Sequence, residues 1–173
     1  MTEKRQEKEI ETEAAGGNPQ AGEVFAEFCE IIAQLRGEDG CPWDRAQTFE
    51  SLKECMINEM TEAIAGIDLY QQSGKAENLC EELGDVLLQV VLLAQIAKEQ
   101  GLFDIRDVIE TISRKMVRRH PHVFPGEDGA RELVSWEEIK REEKKNRTPE
   151  EAYAEKVAFR AAAGQIICHL SER

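Results

Sequence analysis

No stretch of the chain approaches the roughly 18 consecutive apolar residues of a membrane-spanning helix. The first twenty residues, MTEKRQEKEIETEAAGGNPQ, lack the apolar core of a secretory leader. Five cysteines (Cys29, Cys41, Cys55, Cys80, Cys168) are odd in number, scattered, and form no CxxC pair. That fits reduced thiols in a cytoplasm better than a disulfide framework or a zinc site. Positive charge is also scarce: 22 Lys and Arg face 35 Asp and Glu, a net charge of -13. Such a chain is not drawn to nucleic-acid backbones or anionic membranes. A small anionic substrate remains compatible, because a bound metal reverses the local sign of a site.

Alternating apolar residues of the strand type are missing as well, and no internal repeat is present, whereas helical periodicity is frequent. Residues 1–20 alternate charges and end in Gly-Gly-Asn-Pro, which reads as a disordered tail. From Ala21, Phe25, Phe28, Ile32 and Leu35 recur at three and four, giving a first helix that stops near Gly37. GEDGCPWD reads as a breaker-rich loop, with Trp43 as a core cap or a substrate contact beside Asp44. A second helix is expected from a Thr48 cap to about Gln72. A third, about Ala76–Gln100, is apolar around most of its circumference and should lie buried in a bundle or an oligomer interface. Further helices are expected at about Ile105–Arg118, Trp136–Lys145 and Pro149–Leu170. The fold class is all-α, a helical bundle.

The acids then become informative. Glu59 and Glu62 are three apart on the second helix, and Glu82 and Asp85 three apart on the third. Residues at i and i+3 share a helix face. Glu82 and Asp85 sit among Leu79, Leu83, Val86 and Leu87. A short turn would fold the two helices antiparallel and bring both pairs together. Either pair alone is most simply a solvated face. Four converging carboxylates instead need a divalent cation to offset repulsion and desolvation. An all-oxygen donor set favours Mg²⁺ or Mn²⁺ over zinc. No histidine lies between residues 21 and 119, which argues against a di-iron bundle with its Glu-x-x-His pairs.

From Leu35 to Lys145 the sequence resembles the MazG family of nucleoside triphosphate pyrophosphohydrolases. The blocks RGEDGCPWDRAQTFESL, NEMTEA, EELGDVLLQVVLLAQIA, KMVRRHPHVF and SWEEIKREEK occur in that family's order. HPHVF and CPWD are the more specific of them. The family's metal motif is EExxE followed by ExxD. Glu59 and Glu62 match its second and third acids, Glu82 and Asp85 match ExxD, and Asn58 replaces the first acid. The resemblance implies an all-α domain over residues 21–146 and an accessory or dimer-packing helix over 147–173. It also implies a homodimer or dimer of dimers, and Mg²⁺-dependent cleavage of an NTP to NMP and diphosphate, clearing surplus or non-standard nucleotides. Many members carry two such domains in tandem; this sequence is similar to the single-domain branch and, more closely, to the N-terminal half of tandem members.

Phosphoanhydride hydrolysis needs neutralised phosphate oxygens and an activated water, and a metal with a spare carboxylate can provide both. Lys115 and Arg119 share a face at i, i+4 and can hold phosphates, or can simply be a solvated helix end favoured by the dipole. The resemblance assigns Lys115 and Arg119 to phosphate, and Trp136 and Lys140 to the nucleotide. Trp136, in a polar segment, is either a base-stacking platform or a core cap. Asn78 and Glu81 either line the site or are solvated. His120 and His122 are read as structural, holding the turn after their helix. Two other readings stand beside the general enzyme. One is a non-catalytic nucleotide-sensing or interaction module. The other is the same fold acting on a narrower substrate such as dUTP, dCTP or phosphoribosyl-ATP.

Overall fold

The computed structural model describes residues 19–125, 135–145 and 147–171. Among these every regular element is helical: α1 (Pro19–Arg36), α2 (Pro42–Ala46), α3 (Leu52–Ser73), α4 (Glu77–Glu99), α5 (Ile105–Arg119), α6 (Trp136–Lys144) and α7 (Pro149–Ser171). The all-α expectation therefore holds, and five of the expected helices fall within a few residues of their predicted ends. The tail expected over residues 1–20 lies outside the described residues up to position 18. The chain divides into two compact units between Arg45 and Ala46.

In the first unit, α1 keeps its expected stripe, with Ile32 buried. The breaker-rich segment behind it does more than loop. It folds back on the end of α1, where the Cys41 N–H donates to the Leu35 carbonyl at 2.8 Å and the Gly40 N–H to the Gly37 carbonyl at 3.0 Å. A Cβ at Gly40 would lie 2.3 Å from the carbonyl oxygens of Gln34 and Leu35, so the return demands glycine. Arg36 and Arg45 donate to the backbone carbonyls of Asp44 and Glu38 and tie the segment shut. Pro42 then starts the short α2, a position where its missing N–H costs no helical bond. Five residues hold too few turns to show a period, which is why the sequence reads only as loop.

The second unit is organised around a hairpin of α3 and α4. α3 begins four residues after Thr48, later than expected. The Thr48 hydroxyl nevertheless accepts the Ser51 N–H at 3.1 Å while the Ser51 hydroxyl accepts the Thr48 N–H at 2.9 Å. The helix ends at Gly74, whose N–H donates to the Tyr70 carbonyl at 2.8 Å. Two further residues lead into α4, so the helices run antiparallel and pack along their length. Leu52, Ala63 and Gly66 are buried on α3. On α4 the burial is uneven: Val91, Leu92, Ala94, Ile96 and Ala97 are enclosed, while Leu83 and Leu87 are 54% and 41% exposed. Within the single chain, burial of this helix is thus concentrated in its C-terminal half.

α5 packs on α4 and starts with a capping box. The Asp104 carboxylate accepts from the Arg106 and Asp107 N–H groups, and Asp107 accepts in return from the Asp104 N–H at 3.0 Å. Ser135 and Glu138 form the same box at the start of α6. Most residues of α7 are exposed, and His169 Nε2 donates to Asn58 Oδ1 of α3 at 2.8 Å.

One polar residue lies inside the hairpin's apolar layer. Gln89 is 5% exposed and its Oε1 has no hydrogen-bond partner. A buried, unpaired carbonyl forfeits its hydration without return, at about 1–3 kcal/mol. Gln89→Leu, which fills similar space without polar atoms, is expected to raise the unfolding free energy by about 1 kcal/mol in a urea titration. A midpoint that falls would show that the amide is satisfied in solution.

Candidate functional site

The site is set by which face of α3 meets α4. Glu59, Ala63 and Gly66 are spaced by four and three and form one stripe. Ala63 and Gly66 are the small, buried members. A Cβ on Gly66 would stand 3.2 Å from the Leu79 Cα and 3.2 Å from Asn78 Oδ1, closer than most such contacts, so the glycine permits the approach of α4 at its first turn. Antiparallel packing then places the residues before Gly66 on α3 opposite those after Leu79 on α4. Glu59 accordingly meets Glu82 and Asp85, and one oxygen from each of the three carboxylates lies within 4.8 Å of the others. All three side chains are half-buried.

Asn78, one turn before Glu82, donates its amide N–H to Glu82 Oε1 at 2.8 Å and fixes that carboxylate's direction. This is the outer support a metal ligand needs. Three acids gathered at this spacing repel one another, and a hard divalent cation is the group that three oxygen donors suit. The donor set therefore fits Mg²⁺ or Mn²⁺. Glu62, expected as a fourth ligand, is exposed and is not among the three acids drawn together. It lies three residues from Glu59, off the stripe that passes through Ala63. Glu81 is exposed as well. Asn58, at the position where the family motif has an acid, is turned to α7 by its bond to His169.

Of the cations named in the sequence, Arg119 meets Trp136 at the end of α5. Arg119 is 11% exposed in its side chain, and its guanidinium sits 4.8 Å from the centre of the Trp136 ring. The Trp136 ring also stacks at a tilt on His120, with centroids 5.5 Å apart, and it remains 39% exposed. His120 closes α5 by donating Nδ1–H to the Met116 carbonyl at 2.6 Å. His122 lies beside it, ring centroids 5.8 Å apart. Lys115 is half-buried one turn before Arg119, and Lys140 is exposed one turn after Trp136.

A residue the sequence reading did not single out holds this cluster. Glu143 accepts from Arg118 through Nε at 3.0 Å and Nη2 at 2.6 Å, and from Arg119 through Nε at 3.2 Å and Nη2 at 2.6 Å. Hydrogen bonds from the two guanidinium groups and their charge pull its carboxyl down to about 2. These partners lie 24 and 25 residues away in sequence, beyond any helical spacing rule.

The acid-lined helical hairpin belongs to an all-α fold with a metal-type donor set, and sequence comparison supplies the family. Residues 47–124 match the family described as the MazG nucleotide pyrophosphohydrolase domain. The chain carries a domain of that family. It is 50% identical to the nucleoside triphosphate pyrophosphohydrolase/pyrophosphatase MazG of Thermotoga maritima, over 72% of this chain and 47% of that protein. It is 42% identical to the nucleoside triphosphate pyrophosphohydrolase of Escherichia coli K12, over 66% of this chain and 43% of that one. The uncharacterized protein YabN of Bacillus subtilis is 51% identical over 69% of this chain and 24% of its own length. The chain thus spans between about a quarter and a half of these three relatives.

The Glu143 bridge has a pH signature. Its folded-state pKa is lowered, so the bridge contributes stability in full above the ordinary carboxylate value of about 4.3 and loses it as pH falls toward about 2. In a Trp43→Phe chain, whose remaining tryptophan is Trp136, the emission maximum is expected to stay constant from pH 7 to 5. It should then move to the red between about pH 4 and 2. A transition complete by pH 5 would show that another group governs the contact.

Proposed function

We propose that this chain is a divalent-metal-dependent nucleoside triphosphate pyrophosphohydrolase that converts an NTP and water to NMP and diphosphate. The observation that carries the reading is the half-buried triad of Glu59, Glu82 and Asp85 within a MazG domain. The names of the Thermotoga and Escherichia relatives support it. The triad holds Mg²⁺, or Mn²⁺ in its place. Such an ion, when bound, supplies Lewis acidity and a water of lowered pKa. Asn78 keeps Glu82 aimed. Glu62, one turn along α3, completes the metal's carboxylates or orients the attacking water and takes its proton. Lys115 and Arg119 hold the polyphosphate, where charge develops during cleavage, and Trp136 with Lys140 holds the nucleoside end. Glu81 is a further substrate contact in this reading. The role is removal of surplus or non-standard nucleotides in the cytoplasm.

The test is diphosphate release from a panel of NTPs with Mg²⁺, with and without chelator. Asp85→Asn removes charge from the triad at nearly constant volume and is expected to cut turnover at least a hundredfold, on the scale of a lost charge-stabilising group, with helix content unchanged. Undiminished Mg²⁺-dependent turnover in that variant would remove Asp85 from the mechanism. Absence of release with every NTP would favour a nucleotide-sensing module.

The same reading includes a homodimer. Met60, Ile64 and Ile67 form an exposed apolar stripe on α3, and Leu83 and Leu87 another on α4. Covering these faces with the same faces of a second copy gives a self-complementary, two-fold interface. Light scattering at micromolar concentration is expected to give twice the 19.6 kDa chain mass, or a multiple of that dimer. Leu83→Glu with Leu87→Glu should shift it to the monomer. A wild-type monomeric mass would overturn the assembly.

A further inference from the structure

Trp136, Lys140 and Glu143 lie four and three residues apart and share one face of α6. That face grips Arg119 at both ends: the Trp136 ring lies 4.8 Å from its guanidinium, and Glu143 takes its Nε and Nη2 donors. The contact is enclosed at its centre, with Arg119 at 11% and Glu143 at 18% side-chain exposure, and open at Arg118, 56% exposed. Two guanidiniums against one carboxylate leave a net positive charge. With one edge of the Arg119 fork occupied, the donors remaining on Arg119 are those of the Nη1 end and the second Nη2 hydrogen. Arg118 and Arg119 follow one another in sequence and so project about 100° apart on α5. A single acceptor from another helix is what turns both toward one point.

We propose that Glu143 is a positioning residue for substrate binding: it fixes which edge of Arg119 faces the polyphosphate and, through the same arginine, seats Trp136 beside it. Phosphate contact and nucleoside contact are thereby made by one preassembled unit, and loss of the carboxylate weakens both together. A rigid fork presented in advance needs no ordering when the anion arrives. The inference rests on the pyrophosphohydrolase reading for its substrate, but the geometry it concerns can be measured without turnover.

The experiment compares Glu143→Gln, Glu143→Asp and Arg119→Ala, singly and in the combination Glu143→Gln with Arg119→Ala, in a Trp43→Phe chain. Calorimetric binding of inorganic tripolyphosphate with Mg²⁺ is read beside steady-state NTP hydrolysis and Trp136 emission. Glu143→Gln is expected to weaken tripolyphosphate binding and raise KM on the order of tenfold, and to shift Trp136 emission to the red, with Glu143→Asp recovering part of each. In the Arg119→Ala background the Glu143→Gln effect on binding should disappear, because the carboxylate acts through the arginine. A Glu143→Gln loss that persists undiminished without Arg119 would overturn the proposal, since a purely scaffolding role gives that result. Tighter tripolyphosphate binding by Glu143→Gln would overturn it in the other direction, identifying Glu143 as a competitor that the phosphate displaces. If wild-type protein hydrolyses no NTP, the functional reading fails, while tripolyphosphate binding and Trp136 emission still decide the role of Glu143.

Discussion

The close antiparallel contact of α3 and α4 is the constraint from which the rest of the site follows. Small residues at Ala63 and Gly66 let two helix backbones approach at one end. Once the separation and the facing stripes are fixed, the positions of Glu59, Glu82 and Asp85 are fixed with them. The acids are therefore held by apolar packing at sites they did not choose. Their mutual repulsion is borne by the burial of Leu52, Val91, Leu92 and Ile96. This is a common economy of helical bundles: the layer that confers stability lies along the helix, and the chemistry occupies the next turns of the same seam.

Periodicity made the helices legible, because each long helix runs through several turns of apolar residues. The triad was legible for the same reason, since Glu82 and Asp85 interrupt an apolar run at helical spacing and Glu59 does so on the preceding helix. Glu62 is exposed and is not one of the three grouped acids. Both i+3 and i+4 lie near a given residue, and only the packing of Ala63 and Gly66 decides which of the two neighbours turns toward the partner helix. α2 was hidden by its length. Glu143 was hidden by its setting, a charged run in which each acid looks solvated, and by partners on another helix. Local rules report faces; they do not report which charge on one face meets which charge on another.

The two polar clusters differ in electrostatic logic. On the hairpin, three like charges are collected within one half-buried cluster. At the end of α5, opposite charges are paired within the chain, and the residual charge is positive. Against a net charge of -13, Arg118 and Arg119 are a local concentration of positive charge. The bond between His169 and Asn58 adds a third polar contact, tying α7 to the residue directly before Glu59. Through it the last helix is anchored to the hairpin at the level of the acids.

The stripe geometry of the hairpin also bears on how such a chain tolerates changes of length. An extra residue between Ser73 and Glu77 enters an exposed turn and leaves both seams in phase. An extra residue between Leu79 and Glu82 advances everything beyond it by about 100° and 1.5 Å. Glu82 and Asp85 would then swing out of the seam, and the buried positions from Val91 to Ala97 would swing with them. Insertions and deletions should therefore accumulate at the turn and be purged from the helices, leaving descendants whose loops vary while the distance in sequence from Leu79 to Asp85 stays constant.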